Sequence, residues 1–108
     1  RYMVPARPAR YTPDFILPNG IIIETKGRWV TADRQKMALI KEQHPELDIR
    51  IVFSRSSTRI SKTSETTYGM WCNKHGFPFA DRFPPEEWLL ETPNEASLLA
   101  LKEINNNG

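Results

Sequence analysis

The stretch that most constrains the fold covers residues 11–27 and reads Y-T-P-D-F-I-L-P-N-G-I-I-I-E-T-K-G. Two runs rich in β-forming residues flank the turn sequence Pro18-Asn19-Gly20, which predicts a β-hairpin. Proline suits the first position of a three-residue loop, and glycine suits the left-handed position that closes it. Such a loop would place Asp14 opposite Glu24 on one face of the hairpin, whereas a two-residue loop would put them on opposite faces.

With the three-residue loop, Asp14, Glu24 and Lys26 are predicted to lie on one face of the hairpin. Two carboxylates directly opposite each other repel, so a cation between them is expected, and hard oxygen ligands suit Mg²⁺ or Mn²⁺. A lysine beside such a metal can orient a water or stabilise charge that develops on a phosphate.

The alternative reading of these charges is an ordinary solvated strand face. The uninterrupted run Ile21-Ile22-Ile23 argues against it, because it predicts a strand that is covered on both faces. Charges directly after a buried strand indicate a site. Pro-Asp, then nine residues, then Glu-x-Lys resembles the signature of the P-D…(D/E)-x-K nuclease superfamily, which implies a restriction-endonuclease-like core.

The length and the amino-acid composition are those of an ordinary globular protein. Its 108 residues suit one domain, with 39% hydrophobic and 26% charged residues. No run approaches a membrane span and no signal-peptide pattern is present, so we expect no membrane association. The single Cys72 excludes an internal disulfide and favours a reducing, cytoplasmic location. It lies in an apolar helical pattern, which predicts a packed core thiol.

Charge is unevenly distributed along the chain. Residues 1–85 hold 14 Lys or Arg against 8 Asp or Glu, whereas residues 86–108 hold one against five. The first part, which contains the hairpin, therefore carries +6 and the second −4. This asymmetry favours a polyanionic partner for the first part.

Three segments are predicted in order: an arm over residues 1–10, a core over residues 11–91, and a C-terminal helix with a frayed tail over residues 92–108. The arm contains two prolines and three arginines, so it is expected to be an extended arm or edge strand. It could equally be a disordered terminus or a strand that crosses to a partner subunit.

Helices and strands are expected to alternate after the hairpin. A helix between two strands predicts a β-α-β unit with parallel strands, so the fold class is α/β with a small mixed sheet flanked by helices. The expected elements are a helix over 32–43 with Thr31 as N-cap, a strand over 49–53, a helix over 66–75 ended by Gly76, an edge strand over 77–80, a short helix from Pro84, and a helix over 95–104 capped by Asn94.

Further runs narrow the resemblance to a family. E-Q-H-P-E-L-D-I-R-I-V-F-S at residues 42–54, Y-G…C-N-K-H-G and F-A-D, together with the hairpin, closely resemble phage endonuclease I over roughly residues 4–91. The resemblance implies a Holliday-junction resolvase that hydrolyses phosphodiesters of branched DNA with Mg²⁺ or Mn²⁺, one or two ions per site. It also implies a strand-exchanged homodimer and no small-molecule cofactor.

The resemblance assigns roles to hairpin residues. Asp14 and Glu24 resemble the metal-binding carboxylates, the Thr25 backbone carbonyl a further ligand, and Lys26 the catalytic lysine. Charge and proximity in the predicted fold suggest DNA-backbone contacts, partly from the basic loop over 54–64, although that loop could simply be solvated. The candidates are Arg28, Lys36, Arg55, Arg59 and Lys62.

Two departures from the family pattern leave alternatives open. The chain starts at Arg1, as a processed product or a fragment would, and so lacks the family's N-terminal segment with its further glutamate. From Thr92 an acidic, leucine-bearing segment replaces a lysine-rich tail. The alternatives are a restriction-type or transposase-type nuclease acting on linear duplex, an inactive DNA-binding remnant, and an interaction domain that binds no nucleic acid.

Overall fold

A computed structural model describes residues 13–107, so the predicted arm over residues 1–10 lies outside the described residues. Within residues 13–107, four strands form one mixed sheet in the order β1-β2-β3-β4 and four helices accompany it, which confirms the predicted α/β class. The strands are β1 (Phe15–Ile16), β2 (Ile21–Lys26), β3 (Asp48–Phe53) and β4 (Phe79–Asp81). The helices are α1 (Thr31–Gln43), α2 (Tyr68–His75), α3 (Glu86–Leu89) and α4 (Glu95–Asn107).

The hairpin has the predicted three-residue loop. Strands β1 and β2 are antiparallel with Phe15 opposite Ile23. The Leu17 N–H donates to the Ile21 carbonyl at 2.8 Å and closes the loop. Gly20 has a φ of +91°, the left-handed conformation that the loop requires of its last residue.

The β-α-β prediction is also confirmed. Helix α1 connects β2 to β3, and the two strands are parallel with Glu24 beside Ile51. Strand β4 is parallel to β3 and lies at the edge of the sheet. The carboxyl ends of β2, β3 and β4 therefore meet at one edge, which is where ligands of parallel sheets usually bind.

The core lies on both faces of β2, as the isoleucine run predicted. On one face, Ile22 packs with side chains from the first, second and last helices and from β3. On the other face, Ile21 and Ile23 pack against Val52 and Trp88. Cys72 is fully buried in the first cluster, which confirms the packed thiol, and burial raises its pKa to about 12.

The start of helix α4 is hydrogen-bonded to the hairpin turn. Its predicted cap, Asn94, accepts a hydrogen bond from the Ser97 N–H at 3.0 Å and donates its own N–H to the Asn19 carbonyl at 2.7 Å. The buried Ser97 hydroxyl donates to the Gly20 carbonyl at 2.7 Å and accepts from the Asp48 N–H at 3.1 Å. The C-terminal helix thus holds the loop and the start of β3 together.

Several element boundaries differ from the prediction, among them the start of α2 at Tyr68, where Thr67 is the N-cap. Val30, not Thr31, is the N-cap of α1, because the Thr31 hydroxyl accepts a hydrogen bond from Arg34 at 2.9 Å. Strand β4 begins at Phe79, because the Phe77 N–H closes the end of α2 through the Cys72 carbonyl at 2.8 Å. Helix α4 continues to Asn107, beyond the predicted end of the helix at residue 104. No helix within residues 13–107 has the length and apolarity that crossing a membrane requires.

Candidate active site

Two of the predicted site residues lie at the carboxyl end of β2. Because side chains alternate along a strand, Glu24 and Lys26 point to the same face as Ile22. Glu24 is only 4% exposed, beside the fully buried Ile51, whereas Lys26 is half-buried. A buried carboxylate followed by a more accessible lysine thus marks the point where the apolar strand reaches solvent.

The Asp14 side chain contacts Thr25, the residue between Glu24 and Lys26. Its Oδ2 accepts hydrogen bonds from the Thr25 N–H at 3.0 Å and from the Thr25 hydroxyl at 3.2 Å. The carboxylate therefore lies at the peptide bond that joins Glu24 to Thr25. The sequence predicted Asp14 directly opposite Glu24, but strand pairing begins at Phe15 and Asp14 is in a bend.

Pro13 accounts for this local geometry. In the hairpin register Pro13 would face Thr25, and proline has no N–H to donate. The Thr25 N–H, for its part, donates to the Asp14 carboxylate. The Lys26 carbonyl accepts from the Ser54 N–H at 3.1 Å and so faces β3. Because carbonyls alternate in direction along a strand, the Thr25 carbonyl faces β1, where Pro13 offers no donor.

These groups form a donor set that fits a hard divalent cation. Two carboxylates and one backbone carbonyl are oxygen ligands of the kind that Mg²⁺ and Mn²⁺ prefer. Within residues 13–107 there is no cluster of three or more His, Cys, Asp or Glu side chains that could hold a metal. A cation bound by Asp14, Glu24 and Thr25 would therefore keep several water or substrate ligands, as is usual for Mg²⁺.

An open cleft adjoins Lys26 at the ends of β2 and β3. Its volume is about 530 Å³. The residues that line it are Thr25, Lys26, Gly27, Val52, Phe53, Ser54 and Arg82. Sequence reasoning missed Arg82, since only the parallel pairing of β4 with β3, the neighbour of β2, brings residue 82 to the cleft that Lys26 lines.

The predicted DNA contacts fall into two groups. Arg28 and Arg55 are exposed, and each directly follows a residue that lines the cleft. The other three candidates are exposed but adjoin no lining residue: Lys36, Arg59 and Lys62.

The loop that follows β3 is held in place by hydrogen bonds. Asp81 accepts from the Ser56 N–H at 2.7 Å and from its hydroxyl at 3.0 Å. The Tyr68 N–H donates to the Thr58 carbonyl at 2.9 Å and ties the loop to the start of α2. Arg55 is therefore presented from a fixed segment, and Asp81 is a positioning residue that sequence reasoning also missed.

Comparison with known proteins identifies the family. The phage endonuclease I family model matches residues 1–107. Endonuclease I of Escherichia phage T7 is 56% identical over 101 residues, which cover 94% of this chain and 68% of that relative. Endodeoxyribonuclease 1 of Enterobacteria phage T3 is 55% identical over 94 residues, covering 87% of this chain and 62% of that relative. The chain thus spans about two thirds of the length of these relatives, and it belongs to the phage endonuclease I family.

Proposed function

We propose that the protein is a structure-selective endonuclease that hydrolyses phosphodiesters in four-way and other branched DNA with Mg²⁺ or Mn²⁺. The observation that supports the proposal is the end of β2, where Glu24 is buried, Asp14 accepts hydrogen bonds from Thr25, and Lys26 lines a cleft. The names of the two relatives describe endonucleases, one of them acting on DNA, which supports the same reaction class.

Each residue has a distinct role in this proposal. Asp14, Glu24 and the Thr25 carbonyl would hold one or two cations. When bound, such a cation supplies Lewis-acid polarisation of a phosphate and lowers the pKa of a bound water. Lys26, in the cleft, would hold the attacking water or neutralise charge on the phosphate during in-line displacement.

The exposed cations would contact the DNA backbone. Arg28 and Arg55 flank the cleft and would bind phosphates on either side of the cut, with Lys36, Arg59 and Lys62 contacting more distant backbone. Phosphate contacts carry no direct base information. Selection of branched DNA would therefore depend on its shape and on the spacing of two active sites.

A homodimer would supply the two active sites, one for each cut strand. Strand β1 lies at the sheet edge and exposes 60% of Phe15 and 47% of Ile16. An apolar sheet edge is a typical place for another chain to bind, which supports the dimer. Sedimentation at micromolar concentration would give twice the monomer mass if the proposal holds, and the monomer mass if it does not.

Cleavage of a labelled four-way junction beside a linear duplex of the same sequence tests the substrate. Both DNAs are incubated with Mn²⁺ and then with EDTA. Metal-dependent cutting of the junction alone is the expected result. Equal cutting of both DNAs would indicate a general nuclease, and tight junction binding without cutting would indicate a DNA-binding module.

A further inference from the structure

The backbone at Arg82 has an unusual conformation. Its φ is +71°, and no other non-glycine residue within residues 13–107 has a positive φ. The Phe83 N–H donates to the Asp81 carbonyl at 2.8 Å and closes a γ-turn centred on Arg82. A γ-turn with positive φ is rare and strained for a residue with a side chain.

The neighbouring structure holds this turn from both sides. The Arg82 N–H donates to the carbonyl of Phe53, the last residue of β3, at 2.7 Å. The Asp81 carboxylate accepts two hydrogen bonds from Ser56 in the loop after β3. Strain that the surrounding structure maintains in this way commonly occurs at functional sites, because it fixes a side chain where the function needs it.

The position of the turn indicates what the Arg82 side chain can bind. Arg82 lines the same cleft as Lys26, and its side chain is exposed. Within residues 13–107, both ion pairs belong to Arg50, so no carboxylate neutralises Arg82. A guanidinium offers paired N–H donors that match the oxygens of a phosphate and stays charged at any working pH.

We propose that Arg82 binds a backbone phosphate of the DNA strand in the cleft, and that the strained turn positions it beside Lys26. The inference rests on the proposed function, since it presumes that DNA occupies the cleft. The strain itself favours a role for the side chain, because a glycine at this position would relax the backbone but would remove the guanidinium.

The test uses Arg82→Gly, Arg82→Lys and a matched control, Lys74→Gln. Lys74 is exposed in the last turn of α2. That end of α2 lies beside α1's last turn, since Lys41 Nζ donates to the Gly76 carbonyl at 3.1 Å. This is the end of the molecule where β3 begins, remote from the cleft. Binding of a labelled four-way junction in EDTA is followed by fluorescence anisotropy over a salt series, beside denaturant unfolding.

Arg82→Gly is expected to unfold at the same or a higher denaturant concentration than the wild type. Its junction affinity should fall about tenfold, and the slope of log affinity against log salt should become shallower by about 0.9, the loss of one phosphate contact. Arg82→Lys should keep most of the salt slope, and Lys74→Gln should match the wild type.

Wild-type affinity and salt slope in Arg82→Gly would overturn the inference and leave the proposed function intact. An equal loss in Lys74→Gln would also overturn it, because the effect would then be general surface charge. If the wild type itself neither binds nor cuts the junction, the proposed function fails and this inference fails with it.

Discussion

At the scale of single residues, Pro13 and Asp14 explain why the motif begins with a Pro-Asp pair. Proline ends the hairpin ladder because it has no N–H, and this frees the Thr25 carbonyl from strand pairing. Asp14 then accepts the Thr25 N–H at 3.0 Å, which anchors a carboxylate next to Glu24. The end of the sheet and the beginning of the site are therefore made by the same two residues.

Lys26→Ala is expected to reduce junction cleavage by at least about 100-fold, because it removes a preorganised charge from the cleft. Junction binding should remain near the wild-type value, since Lys26 is assigned to the attacking water or to charge that develops during the reaction, not to holding the bound DNA. Single-turnover cleavage and anisotropy on the same preparation measure both. Undiminished cutting by Lys26→Ala would refute the role assigned to this lysine, and Lys74→Ala serves as the control.

Part of the site follows from local sequence and part does not. The run that ends in Glu24 and Lys26 predicts a buried strand with charges at its exit, which the structure contains. The hydrogen bonds that Asp14 accepts from Thr25 depend on how the ladder ends, a detail that residue patterns do not encode. Arg82 reaches the cleft only through the pairing of β4 with β3, so no local signal identifies it.

At the scale of elements, the hairpin loop is a packing surface as well as a turn. The Asn19 side chain donates to the carbonyls of Trp88 and Glu91 at 2.8 and 3.2 Å, and only 7% of this residue is exposed. Helix α4 contacts the same loop through the Ser97 hydroxyl. The loop residues thus connect the hairpin to the C-terminal helices.

Gly20→Ala is expected to destabilise the protein by about 2–4 kcal/mol, the combined cost of a left-handed alanine and of overpacking. A Cβ at this position would lie 2.9 Å from the Asn94 carbonyl oxygen, which is backbone of the α4 cap. Gly27→Ala is the matched control. Its nearest neighbour, Ser54 Oγ, would be 3.8 Å from the new Cβ, so we expect a change within about 0.5 kcal/mol. Urea unfolding measures both variants, and equal effects would contradict this reading.

The segment between α3 and α4 is attached to the sheet by Arg50. Its guanidinium donates to Glu91 at 2.6 and 2.8 Å and to Asp48 at 2.9 Å, and it lies over the Trp88 ring at 5.2 Å. The hydrogen bonds from Arg50 lower the pKa of Glu91 below its ordinary value. The ionised carboxylate of Glu91, although exposed, therefore stabilises the folded state.

Glu91→Gln should lower the melting temperature at pH 7. A depressed pKa in the folded state means that the ionised Glu91 stabilises the fold above the ordinary glutamate pKa of about 4.3, and that this stabilisation is lost as pH falls through the lower, folded-state pKa. The difference between wild type and variant should therefore shrink in acid. Thermal unfolding at pH 7 and pH 3 measures it, and a difference independent of pH would contradict the ion pair's role.

Glu87→Gln is the control for this pH dependence. Glu87 is exposed in α3 and takes part in neither of the two ion pairs within residues 13–107. Its replacement should leave the melting temperature unchanged at both pH values.

Sequence patterns predicted the elements better than their ends. The hairpin loop and the parallel β-α-β unit follow from turn chemistry and from strand, helix and strand in succession. The start of β4 was predicted at residue 77, two residues too early. Phe77 is apolar like a strand residue, but it is 1% exposed and its N–H closes the end of α2. The burial of Arg50 was not predicted either. A charged residue within a strand usually indicates a solvated face, whereas here residues distant in sequence cover Arg50.

At the scale of the whole molecule, the start of α4 and the cleft lie at opposite ends of β2. The acidic segment from residue 86 contacts the hairpin turn, where β2 begins, through the cap of α4. The cleft, with Lys26 and Arg82, lies where β2 and β3 end. A polyanion at the cleft would therefore lie away from the acidic first turn of α4. The C-terminal segment stabilises the fold from the far end of the sheet.

The central claim is that Asp14 and Glu24 create a divalent-cation site at the carboxyl end of β2. Mn²⁺ binding followed by electron paramagnetic resonance tests it directly on wild type, Asp14→Asn, Glu24→Gln and a control, Glu46→Gln. Glu46 is exposed in the turn before β3, at the opposite end of the sheet. Far-ultraviolet circular dichroism confirms that each variant is folded.

We predict that the wild type and Glu46→Gln bind Mn²⁺ alike, and that Asp14→Asn and Glu24→Gln each lose at least about tenfold in affinity, because each removes a charged oxygen ligand. Wild-type Mn²⁺ affinity in folded Asp14→Asn and Glu24→Gln would contradict the claim.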